Sequence, residues 1–543
     1  MANLSKQRRE RMLDFLQKVR DKNKDDDEAL VAINEIENEI TEKRYGLVWE
    51  EHTENVDEKM VEEIPIFSED LSSELVTTED NYNFLLEGDN LHSLHLLEKT
   101  RKEQIDVIYI DPPYNTGNGF RYDDKRIEAT DSFRHSKWLS FMARRLEIAK
   151  RLLKKDGVIF VSINDIEGAQ LKMLLDSIFD EKNFVGQIIW ESTTQPTNAG
   201  SARFQLQKKT ESIFCYAKDK ASRKGFVLKE LGNNFNYPHN GKLGKCRFEI
   251  IEKSDAGSYN RESMKFEILG QTPRPGKRWQ IGIETARQLE ANNRLEIVDG
   301  IVKKAVYPED ERDKLSYEPF WSLLLASEVG TAQTGKDELN SILGYPAGFD
   351  TVKPIGLMKA LLSHFRNDIT VLDFFAGSAT TGQAVLELNK EDGGNRHFII
   401  CTNNEDNICD DVTYPRLYTV IKGVRKNGSE YSKGLAGNLK VYHTGFIPKK
   451  TDSLPDDLLK HIDEMIQLEY GVKIDKEKYI SILSDTDADE LEKNWLNYPD
   501  IQGIYKSSKV LLTAKQRDLF NTKHCYTIPD YYFRNELRAE GEI

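Results

Sequence analysis

Short apolar runs alternate with amphipathic helical segments in this chain, and the alternation limits the possible folds more than any other feature. Strand-like runs at 83–88, 107–110 and 158–163 are separated by helical patterns. Strands that are joined by helices form a mainly parallel sheet with helices on both faces. The sequence therefore predicts an α/β protein with a doubly wound, mainly parallel sheet.

The alternation is interrupted once. After strand-like runs at 187–190 and 212–216, which could pair antiparallel, a long mixed, aromatic and basic segment follows. Strand, turn and helix resume at about residue 368, so a domain is inserted between two pieces of one sheet. We predict a helical region over 1–80, the first half of the sheet domain over 81–220, an inserted domain over 221–340, the second half of the sheet domain over 341–445, and a helical C-terminal region over 446–543.

One predicted strand ends in a rigid turn. The apolar run 107–110 leads directly into Asp111, Pro112, Pro113 and Tyr114. Each proline fixes its own φ and restricts the residue before it, so a carboxylate, a carbonyl and an aromatic ring are held with little freedom. Loops after strands are where α/β enzymes carry their chemistry. Such a turn could hold a flat ring that bears an amine, although a plain proline turn would carry the same residues.

A second predicted strand, 371–373, enters a turn of small residues before a helix. The turn contains Asp373, Phe375, Gly377, Ser378 and Thr380. Small residues allow the backbone to approach a ligand closely. A turn that only packs tightly would have the same composition, so this pattern alone is weak.

Charge is distributed unevenly. A net charge of −15 argues against nucleic-acid binding, which depends on the neutralisation of phosphates. Residues 201–280, however, carry 17 Lys and Arg against 8 Asp and Glu, interleaved with aromatic and amide residues. That mixture suits contacts to phosphates and base edges, and a solvated charged surface is the alternative. The cationic candidates are Arg203, Lys208, Lys209, Arg274, Lys277 and Arg278.

The remaining composition excludes several classes of protein. The apolar runs are shorter than the roughly 18 residues of a membrane span, and the N-terminus has no hydrophobic signal core. We therefore expect a cytoplasmic protein. The five cysteines form neither a C-x-x-C pair nor a Cys/His cluster, so we expect no disulfide framework and no metal site.

The residues Asp111–Tyr114 match the catalytic motif of the amino-methyltransferases of DNA, which transfer methyl from S-adenosylmethionine to an exocyclic base nitrogen. The longer stretch 83–184 resembles the modification subunits of type III restriction-modification systems, through Glu87–Leu91, Phe133–Leu139 and Gly157–Ile163. In the β class of these enzymes the catalytic turn comes first, a basic insert second and the cofactor turn last, as here. The resemblance implies their seven-stranded sheet in circularly permuted order, with a target-recognition domain as the insert.

The resemblance also implies roles for individual residues. Asp373, Phe375 and Gly377 match the family's Asp-x-Phe-x-Gly-x-Gly cofactor motif, with Ala379 in place of the second glycine. Lys353 would lie near the methionine carboxylate, Glu405 near the ribose hydroxyls and Asp89 near the adenine amine of the cofactor. The implied catalytic residues are Asp111, Pro112, Pro113 and Tyr114, and the implied cofactor-binding residues are Asp89, Asn90, Phe349, Lys353, Pro354, Asp373, Phe375, Gly377, Ser378, Thr380 and Glu405, with no metal.

The expected reaction, by resemblance, is methylation of the 6-amino group of an adenine flipped out of double-stranded DNA. Aspartate rather than serine before the two prolines favours adenine over cytosine. Methylation of cytosine N4, or of RNA, is the alternative activity, and a recognition scaffold for a helicase-nuclease is the alternative from another class. The resemblance further implies a homodimer and a restriction subunit as partner, since the chain lacks a Gly-x-x-x-x-Gly-Lys-Ser/Thr loop for translocation.

Overall fold

A computed structural model describes residues 4–23, 26–41, 49–79, 81–116, 121–122, 125–126, 131–196, 200, 203–204, 206–230, 235–256, 261–311, 317–349, 351–451, 453–528 and 532–541. The chain forms two compact units, one of Met1–Gly225 with Ser322–Ile543 and one of Phe226–Trp321. Within the described ranges, every helix is too short or too polar to cross a membrane.

The first unit begins with helices and then enters the predicted alternation of strands and helices. Its elements up to the insert are α1 (Leu4–Lys22), α2 (Asp27–Thr41), α3 (Asn55–Glu62), β1 (Glu63–Glu69), β2 (Tyr82–Glu87), α4 (Asn90–Thr100), β3 (Ile105–Ile110), β4 (Arg121–Tyr122), β5 (Lys125–Arg126), α5 (Arg134–Leu152), β6 (Leu153–Ile163), α6 (Gly168–Phe179), β7 (Phe184–Glu191) and β8 (Thr210–Ala217).

The second unit is built mainly from short antiparallel strands around one helix. Its elements are β9 (Lys229–Glu230), β10 (His239–Gly241), β11 (Gly244–Ile250), β12 (Glu252–Ser254), β13 (Lys277–Trp279), α7 (Ile283–Ala291), β14 (Leu295–Val298), β15 (Ile301–Val306) and β16 (Tyr317–Glu318). The fully buried Trp279 packs in its core with residues such as Ile251 and Leu295.

The first unit resumes after the insert and continues to the C-terminus. Its remaining elements are β17 (Leu323–Leu324), α8 (Ala326–Val329), α9 (Ala332–Leu343), α10 (Ile355–Leu362), β18 (Thr370–Asp373), α11 (Thr380–Asp392), β19 (His397–Thr402), α12 (Tyr414–Lys422), β20 (Asn438–Pro448), α13 (Leu454–Leu459), α14 (Ile462–Tyr470), β21 (Tyr479–Ile482), α15 (Asp485–Lys493), β22 (Gly503–Ser507), α16 (Ala514–Phe520), β23 (His524–Ile528) and α17 (Arg534–Ala539).

The main sheet has the strand order β1-β20-β2-β19-β18-β3-β6-β8-β7-β17 in the described part of the chain. Neighbouring strands are parallel except that β1 runs antiparallel to β20 and β8 runs antiparallel to both β6 and β7. The seven contiguous strands from β2 to β7 are the seven that the sequence predicts. They confirm the doubly wound α/β sheet, and three further strands extend it at its two edges.

The central strands are apolar because helices cover both faces of the sheet. In β3, residues 107–110 are at most 3% exposed, and the middle of β6 is equally buried. A parallel sheet that is buried on both faces needs such continuous apolar runs. Parallel order also brings the carboxyl ends of β2, β19, β18, β3 and β6 to one edge of the sheet, which carries the candidate site.

The terminal regions are less helical than predicted. In the N-terminal region, β1 pairs with β20 from Glu63↔Pro448 to Glu69↔Tyr442. In the C-terminal region, β21, β22 and β23 form a parallel sheet with its own apolar core, which includes Ile482 and Phe520. Both regions are acidic, and their strands are short, so periodicity did not distinguish them from helical or loop segments.

The second unit is shorter than the segment 221–340 assigned to the insert from sequence. Its limits are Phe226 and Trp321, because β17, α8 and α9 belong to the first unit. The backbone of β17 pairs in parallel with β7, with Leu323 opposite Ile189. A two-residue strand carries no periodicity, so this return to the main sheet could not be read from sequence.

A buried ion cluster joins the outer strands of the main sheet. Lys440 of β20 is fully buried and forms ion pairs with Glu69 of β1 and with Glu74, 3.4 Å from its ammonium. Glu74 also pairs with the more exposed Lys473 at 2.6 Å. The cluster ties the N-terminal region to β20.

We expect Lys440→Met to destabilise the first unit by about 3–5 kcal/mol, because it removes the buried cation that Glu69 pairs with and leaves Glu74 with the more exposed Lys473. The matched change Lys473→Met should cost no more than about 1 kcal/mol, since that lysine is 38% exposed. Urea unfolding followed by tryptophan fluorescence measures both. Equal losses in the two variants would contradict the buried cluster.

Candidate active site

The Asp-Pro-Pro-Tyr turn follows β3 at the carboxyl edge of the sheet, and the protein fixes its backbone from behind. The indole nitrogen of Trp138, which is fully buried in α5, donates a hydrogen bond of 2.7 Å to the carbonyl of Pro113. Asn115, directly after Tyr114, is buried and has a left-handed φ of 54°. Asparagine tolerates this conformation better than most residues, so the chain turns sharply there.

Four polar side chains meet at this turn. The Tyr114 hydroxyl lies 2.6 Å from Asp111 Oδ1 and 3.0 Å from Glu211 Oε2. The ammonium of Lys353 donates to Asp111 Oδ2 at 2.8 Å and to the Tyr114 hydroxyl at 2.9 Å, and it lies 3.3 Å from Glu211 Oε2. We name Asp111, Tyr114, Glu211 and Lys353 the catalytic cluster. It joins three segments that are far apart in the sequence.

The electrostatics of the catalytic cluster favour a charged lysine and a neutral tyrosine. Burial would lower the pKa of Lys353, but the charges of Asp111 and Glu211 and the hydrogen bonds they accept outweigh it and raise that pKa above its usual value. Burial and the same two carboxylates raise the pKa of Tyr114 well above its usual value. The ammonium is therefore shared by two carboxylates.

A second polar group supports the turn. Asn115 Nδ2 donates to Glu167 Oε1 at 2.5 Å, and His135 Nδ1 lies 2.6 Å from the same oxygen. Glu167 is fully buried, and burial raises its carboxyl pKa against the opposing hydrogen bonds from Asn115 and His135. The residue that follows Tyr114 is thus anchored to the start of α6.

The small-residue turn follows β18, which lies beside β3 in the sheet. Asp373 is 2% exposed; its Oδ1 accepts from the Phe375 amide at 3.0 Å and its Oδ2 from the Thr381 hydroxyl at 2.6 Å. Gly377 and Ala379 both have left-handed backbones, with φ of 47° and 61°. The replacement of the family's second glycine by Ala379 therefore places an alanine in a conformation that glycine adopts without strain.

Buried side chains hold this turn from the far side. Arg416, which is fully buried, donates from Nη1 to the Ser378 carbonyl at 3.1 Å and to Thr380 Oγ1 at 2.8 Å. The Thr413 hydroxyl donates to the Gly377 carbonyl at 2.6 Å, and the Thr380 hydroxyl donates to the Lys353 carbonyl at 3.1 Å. Lys353 thus contacts the small-residue turn through its backbone and the catalytic turn through its ammonium.

Asp89 and Asn90 lie at the end of β2, at the same edge of the sheet. Asp89 caps α4, because its Oδ1 accepts from the Leu91 amide at 2.7 Å. Asn90 donates to the Phe374 carbonyl at 2.7 Å and accepts from Arg145 at 2.6 Å. The fully buried Arg145 also forms a bidentate ion pair with Glu54. Asp89 and Asn90 therefore both have structural contacts at the place where the cofactor was expected.

The other residues that were expected to bind the cofactor are spread over several elements of the first unit. A Cβ atom added to Gly377 would lie 3.4 Å from the Phe349 ring, so that ring lies beside the small-residue turn. Phe375 packs against Phe141, with ring centroids 5.8 Å apart. Pro354 is buried at the start of α10, and Glu405 is exposed after β19. Lys353 lies in the catalytic cluster.

The cationic candidates divide between the two units. In the first unit, Arg203 is exposed, Lys208 is 56% exposed and pairs with Asp165, and Lys209 is 62% exposed and pairs with Glu191. In the second unit, Arg274 is half exposed and forms an ion pair of 2.7 Å with the buried Glu252. Lys277 is partly buried in β13.

Arg278 does not fit its expected role as a phosphate contact. It is 4% exposed, and its guanidinium donates to the Trp279 carbonyl at 3.2 Å. Arg278 pairs in β13 with Lys253 of β12, and its neighbour Trp279 is a core residue. A run of basic residues does not reveal which side chains point into the core, because that depends on strand register.

Sequence reasoning missed Glu211 and Glu167. Glu211 directly precedes the predicted strand 212–216, and an antiparallel strand beside β6 begins at the edge where β6 ends. The direction of that one strand was therefore the signal that could have placed Glu211 beside the catalytic turn. Glu167 lies at the start of α6 and had no comparable signal.

The arrangement brings a carboxylate, an ammonium and an aromatic ring together at the end of β3. Across the described ranges, no group of three or more His, Cys, Asp or Glu side chains could hold a metal ion.

A doubly wound sheet with these two turns at the ends of neighbouring strands matches the arrangement of enzymes that methylate amino groups in DNA. A family model described as DNA methylase matches residues 105–413, more than half of the chain, and the chain belongs to this family.

This chain is similar to individual relatives and to solved structures. The StyLTI Mod subunit of a type III restriction-modification enzyme from Salmonella typhimurium is 30% identical over 399 residues, which cover 65% of this chain and 59% of that protein. The type II methyltransferase M.KpnI from Klebsiella pneumoniae is 30% identical over 346 residues, or 58% of this chain and 79% of its own. A solved PvuII cytosine-N4-specific DNA methyltransferase aligns over 60% of this chain and 84% of its own, with 13% identity and a TM-score of 0.33.

Burial raises the pKa of the Asp373 carboxyl to about 7, against the hydrogen bonds from Thr381 and Phe375. Between about pH 4 and about pH 7 the folded chain then binds more protons than the unfolded chain, so this residue makes stability fall as pH rises. In Asp373→Asn that contribution is absent, and the melting temperature of the variant relative to the wild type should rise by a few °C across this window. Calorimetry at several pH values measures the difference, and a constant difference would contradict the raised pKa.

Proposed function

We propose that this chain methylates the 6-amino group of a specific adenine in double-stranded DNA with S-adenosylmethionine as the methyl donor. The observation that carries the proposal is the catalytic cluster, in which Lys353 links Asp111 of the proline turn to the small-residue turn. Membership of the DNA methylase family supports the same reaction class. That family covers both N6 and N4 methyltransferases, so adenine is the more specific part of the proposal.

The turn would bind the target base outside the helix. Flipping a nucleotide out of a duplex costs a few kcal/mol, and stacking on an aromatic ring returns about 1–3 kcal/mol. Tyr114 provides that ring. Asp111 and the Pro112 carbonyl would accept the two amine hydrogens, since each Asp111 oxygen keeps a lone pair beyond its present contact. The carboxylate would take up the proton that the amine loses when it is methylated.

The residues around the small-residue turn fit the cofactor. S-adenosylmethionine, when bound, supplies the methyl group on its sulfonium. The left-handed Gly377 leaves the turn open to close approach by a ligand, and Phe349 and Phe375 offer apolar surface beside it. Asp89 and the exposed Glu405 offer carboxylates for an amine and for hydroxyls. Asn90, Pro354, Asp373, Ser378 and Thr380 would shape the site through their structural contacts.

We assign Lys353 to the catalytic cluster instead of the methionine carboxylate. Its side chain is 8% exposed, and its ammonium already contacts Asp111, Tyr114 and Glu211. Two carboxylates this close repel each other unless a cation lies between them. Lys353 would keep Asp111 in place as an acceptor for the base amine.

Similarity to the StyLTI Mod subunit supports a role in a type III restriction-modification system. The chain spans about three fifths of that relative's length, so the assembly is part of the proposal. We propose that the chain supplies site recognition through its second unit and through Arg203, Lys208 and Lys209. Its protein partners would be a second copy of this chain, in a homodimer, and a helicase-nuclease restriction subunit.

The first test incubates the purified chain with S-adenosylmethionine and unmethylated bacterial genomic DNA, followed by digestion to nucleosides and mass spectrometry. We expect N6-methyladenine with the wild type and a loss of at least about 100-fold in Asp111→Ala, which removes the acceptor. The variant should retain DNA binding, measured by gel shift. Sequencing of the methylated DNA would then map the recognition site.

Each other outcome is informative. N4-methylcytosine as the product would agree with the proposed catalytic site but would contradict adenine as the target base. Activity retained in Asp111→Ala would overturn the mechanism. DNA binding without any product would favour the role as a recognition scaffold.

The assignment of Lys353 predicts a specific kinetic change. Lys353→Met should lower the rate of methyl transfer by about 100-fold or more, because Asp111 and Glu211 lose their shared cation. The dissociation constant for S-adenosylmethionine, measured by calorimetry, should change by less than about threefold. Weaker cofactor binding with an unchanged transfer rate would instead place Lys353 at the methionine carboxylate.

A further inference from the structure

Two large apolar side chains are exposed to solvent a few residues before Glu211 of the catalytic cluster. Leu206 is 95% exposed and Phe204 is 89% exposed, which makes Leu206 the most exposed large apolar residue and Phe204 the most exposed aromatic one among the described residues. Single exposed apolar residues are ordinary, but a nearly bare Phe and Leu two residues apart are less so. Their position in the fold indicates why these two side chains are exposed.

Both residues belong to the segment that connects β7 to β8. Glu191, at the end of β7, pairs with Thr210, at the start of β8, and Ser212 of β8 pairs with Ile163 at the end of β6. The segment therefore leaves the sheet at the carboxyl edge, where Asp111 follows β3. Its base is fixed by a hydrogen bond of 3.3 Å from the Thr193 amide to the Lys209 carbonyl.

The segment leads directly into the catalytic cluster. Glu211, five residues after Leu206, lies 3.0 Å from the Tyr114 hydroxyl and 3.3 Å from the Lys353 ammonium. No helix or strand intervenes between the apolar pair and β8. The pair is thus tethered by a short stretch of chain to the turn where the target base would stack.

Cations flank the apolar pair on both sides. Arg203 precedes Phe204 and is exposed, and Lys208 and Lys209 follow Leu206. The two lysines pair with Asp165 and Glu191 at 3.2 Å, but both lysines are more than half exposed. Exposed ion pairs of this kind are weak, so DNA phosphates can replace the carboxylates. A DNA duplex has charged backbones on either side of stacked bases. An apolar pair that is flanked by cations is complementary to that surface.

We propose that Phe204 and Leu206 form a wedge that enters the DNA stack at the target site and occupies the space that the flipped adenine leaves. The inference rests on the proposed function, because a wedge is needed only if the base is flipped. An inserted apolar side chain stabilises the extrahelical state by replacing the lost stacking contacts. The cations on either side hold the segment on the backbone while the ring replaces the base.

The test compares two duplexes that contain the mapped recognition site. In one duplex the target adenine is paired, and in the other the nucleotide opposite it is abasic, so the adenine is already unpaired. For the double variant Phe204→Ser, Leu206→Ser we expect kcat/KM to fall by about 30-fold or more on the paired duplex and by less than about threefold on the unpaired one. The conservative variant Phe204→Leu, with Leu206 unchanged, should keep most of the wild-type kcat/KM on the paired duplex.

Controls separate the wedge from a general loss of structure or binding. Leu496→Ser removes a leucine that is 93% exposed in the C-terminal region, and it should leave kcat/KM unchanged on both duplexes. S-adenosylmethionine binding and the melting temperature of the double variant should equal those of the wild type. Fluorescence of 2-aminopurine at the target position, which reports unstacking without chemistry, should rise with the wild type and not with the double variant.

The remaining outcomes overturn the wedge, the proposed function or both. Equal losses on both duplexes would mean that the pair serves binding or folding, and no loss on either would mean that it serves neither. If the wild type raises 2-aminopurine fluorescence but methylates neither duplex, the proposed function fails on chemistry alone. If the wild type neither unstacks nor methylates the target, both proposals fail.

Discussion

The arrangement of this site depends on one lysine that is shared by two carboxylates. Lys353 reaches Asp111 and Glu211 with its ammonium, while its backbone carbonyl accepts from Thr380 in the small-residue turn. Three segments far apart in sequence are therefore held together by charge in a place with little solvent. Removal of two carboxylates and a cation from water is unfavourable unless their geometry is good, so the surrounding fold must supply rigid positions for all three. The parallel sheet does so by ending its strands at one edge.

The support behind the two turns is as extensive as the site itself. Trp138 donates a hydrogen bond to the carbonyl of Pro113, and Glu167 accepts one from Asn115, so the catalytic turn is fixed on both sides of Tyr114. Arg416 and Thr413 do the same for the small-residue turn. Preorganised groups of this kind contribute to catalysis because they need not be rearranged when substrate binds. The positions of both turns thus depend on buried neighbours such as Trp138, Glu167 and Arg416.

Sequence predicted the seven central strands and the two turns because each of these features is local. Apolar runs such as 107–110, followed by prolines or by small residues, have few alternative structures. Contacts between distant segments were not predictable in this way. Glu211 depends on the direction of β8, and Arg278 lies in the core because of the register of β13 with β12. Lys353 has its place through side-chain length and charge, which a linear pattern does not encode. The short strands β1, β17 and β21–β23 carried too little periodicity to be recognised.

The antiparallel direction of β8 has a consequence for how the exposed segment before it is connected to the catalytic cluster. A strand that begins at the active edge has its connecting segment there too, so the chain passes from the exposed segment to Glu211 within a few residues. The exposed segment and Glu211 of the catalytic cluster therefore belong to one short stretch of chain, with no helix or strand between them among the described residues. If a ligand on the segment shifts the position of Glu211, thermodynamic reciprocity requires that a ligand which shifts Glu211 also changes affinity at the segment. Binding at the segment and the geometry of the catalytic cluster would then be coupled in both directions.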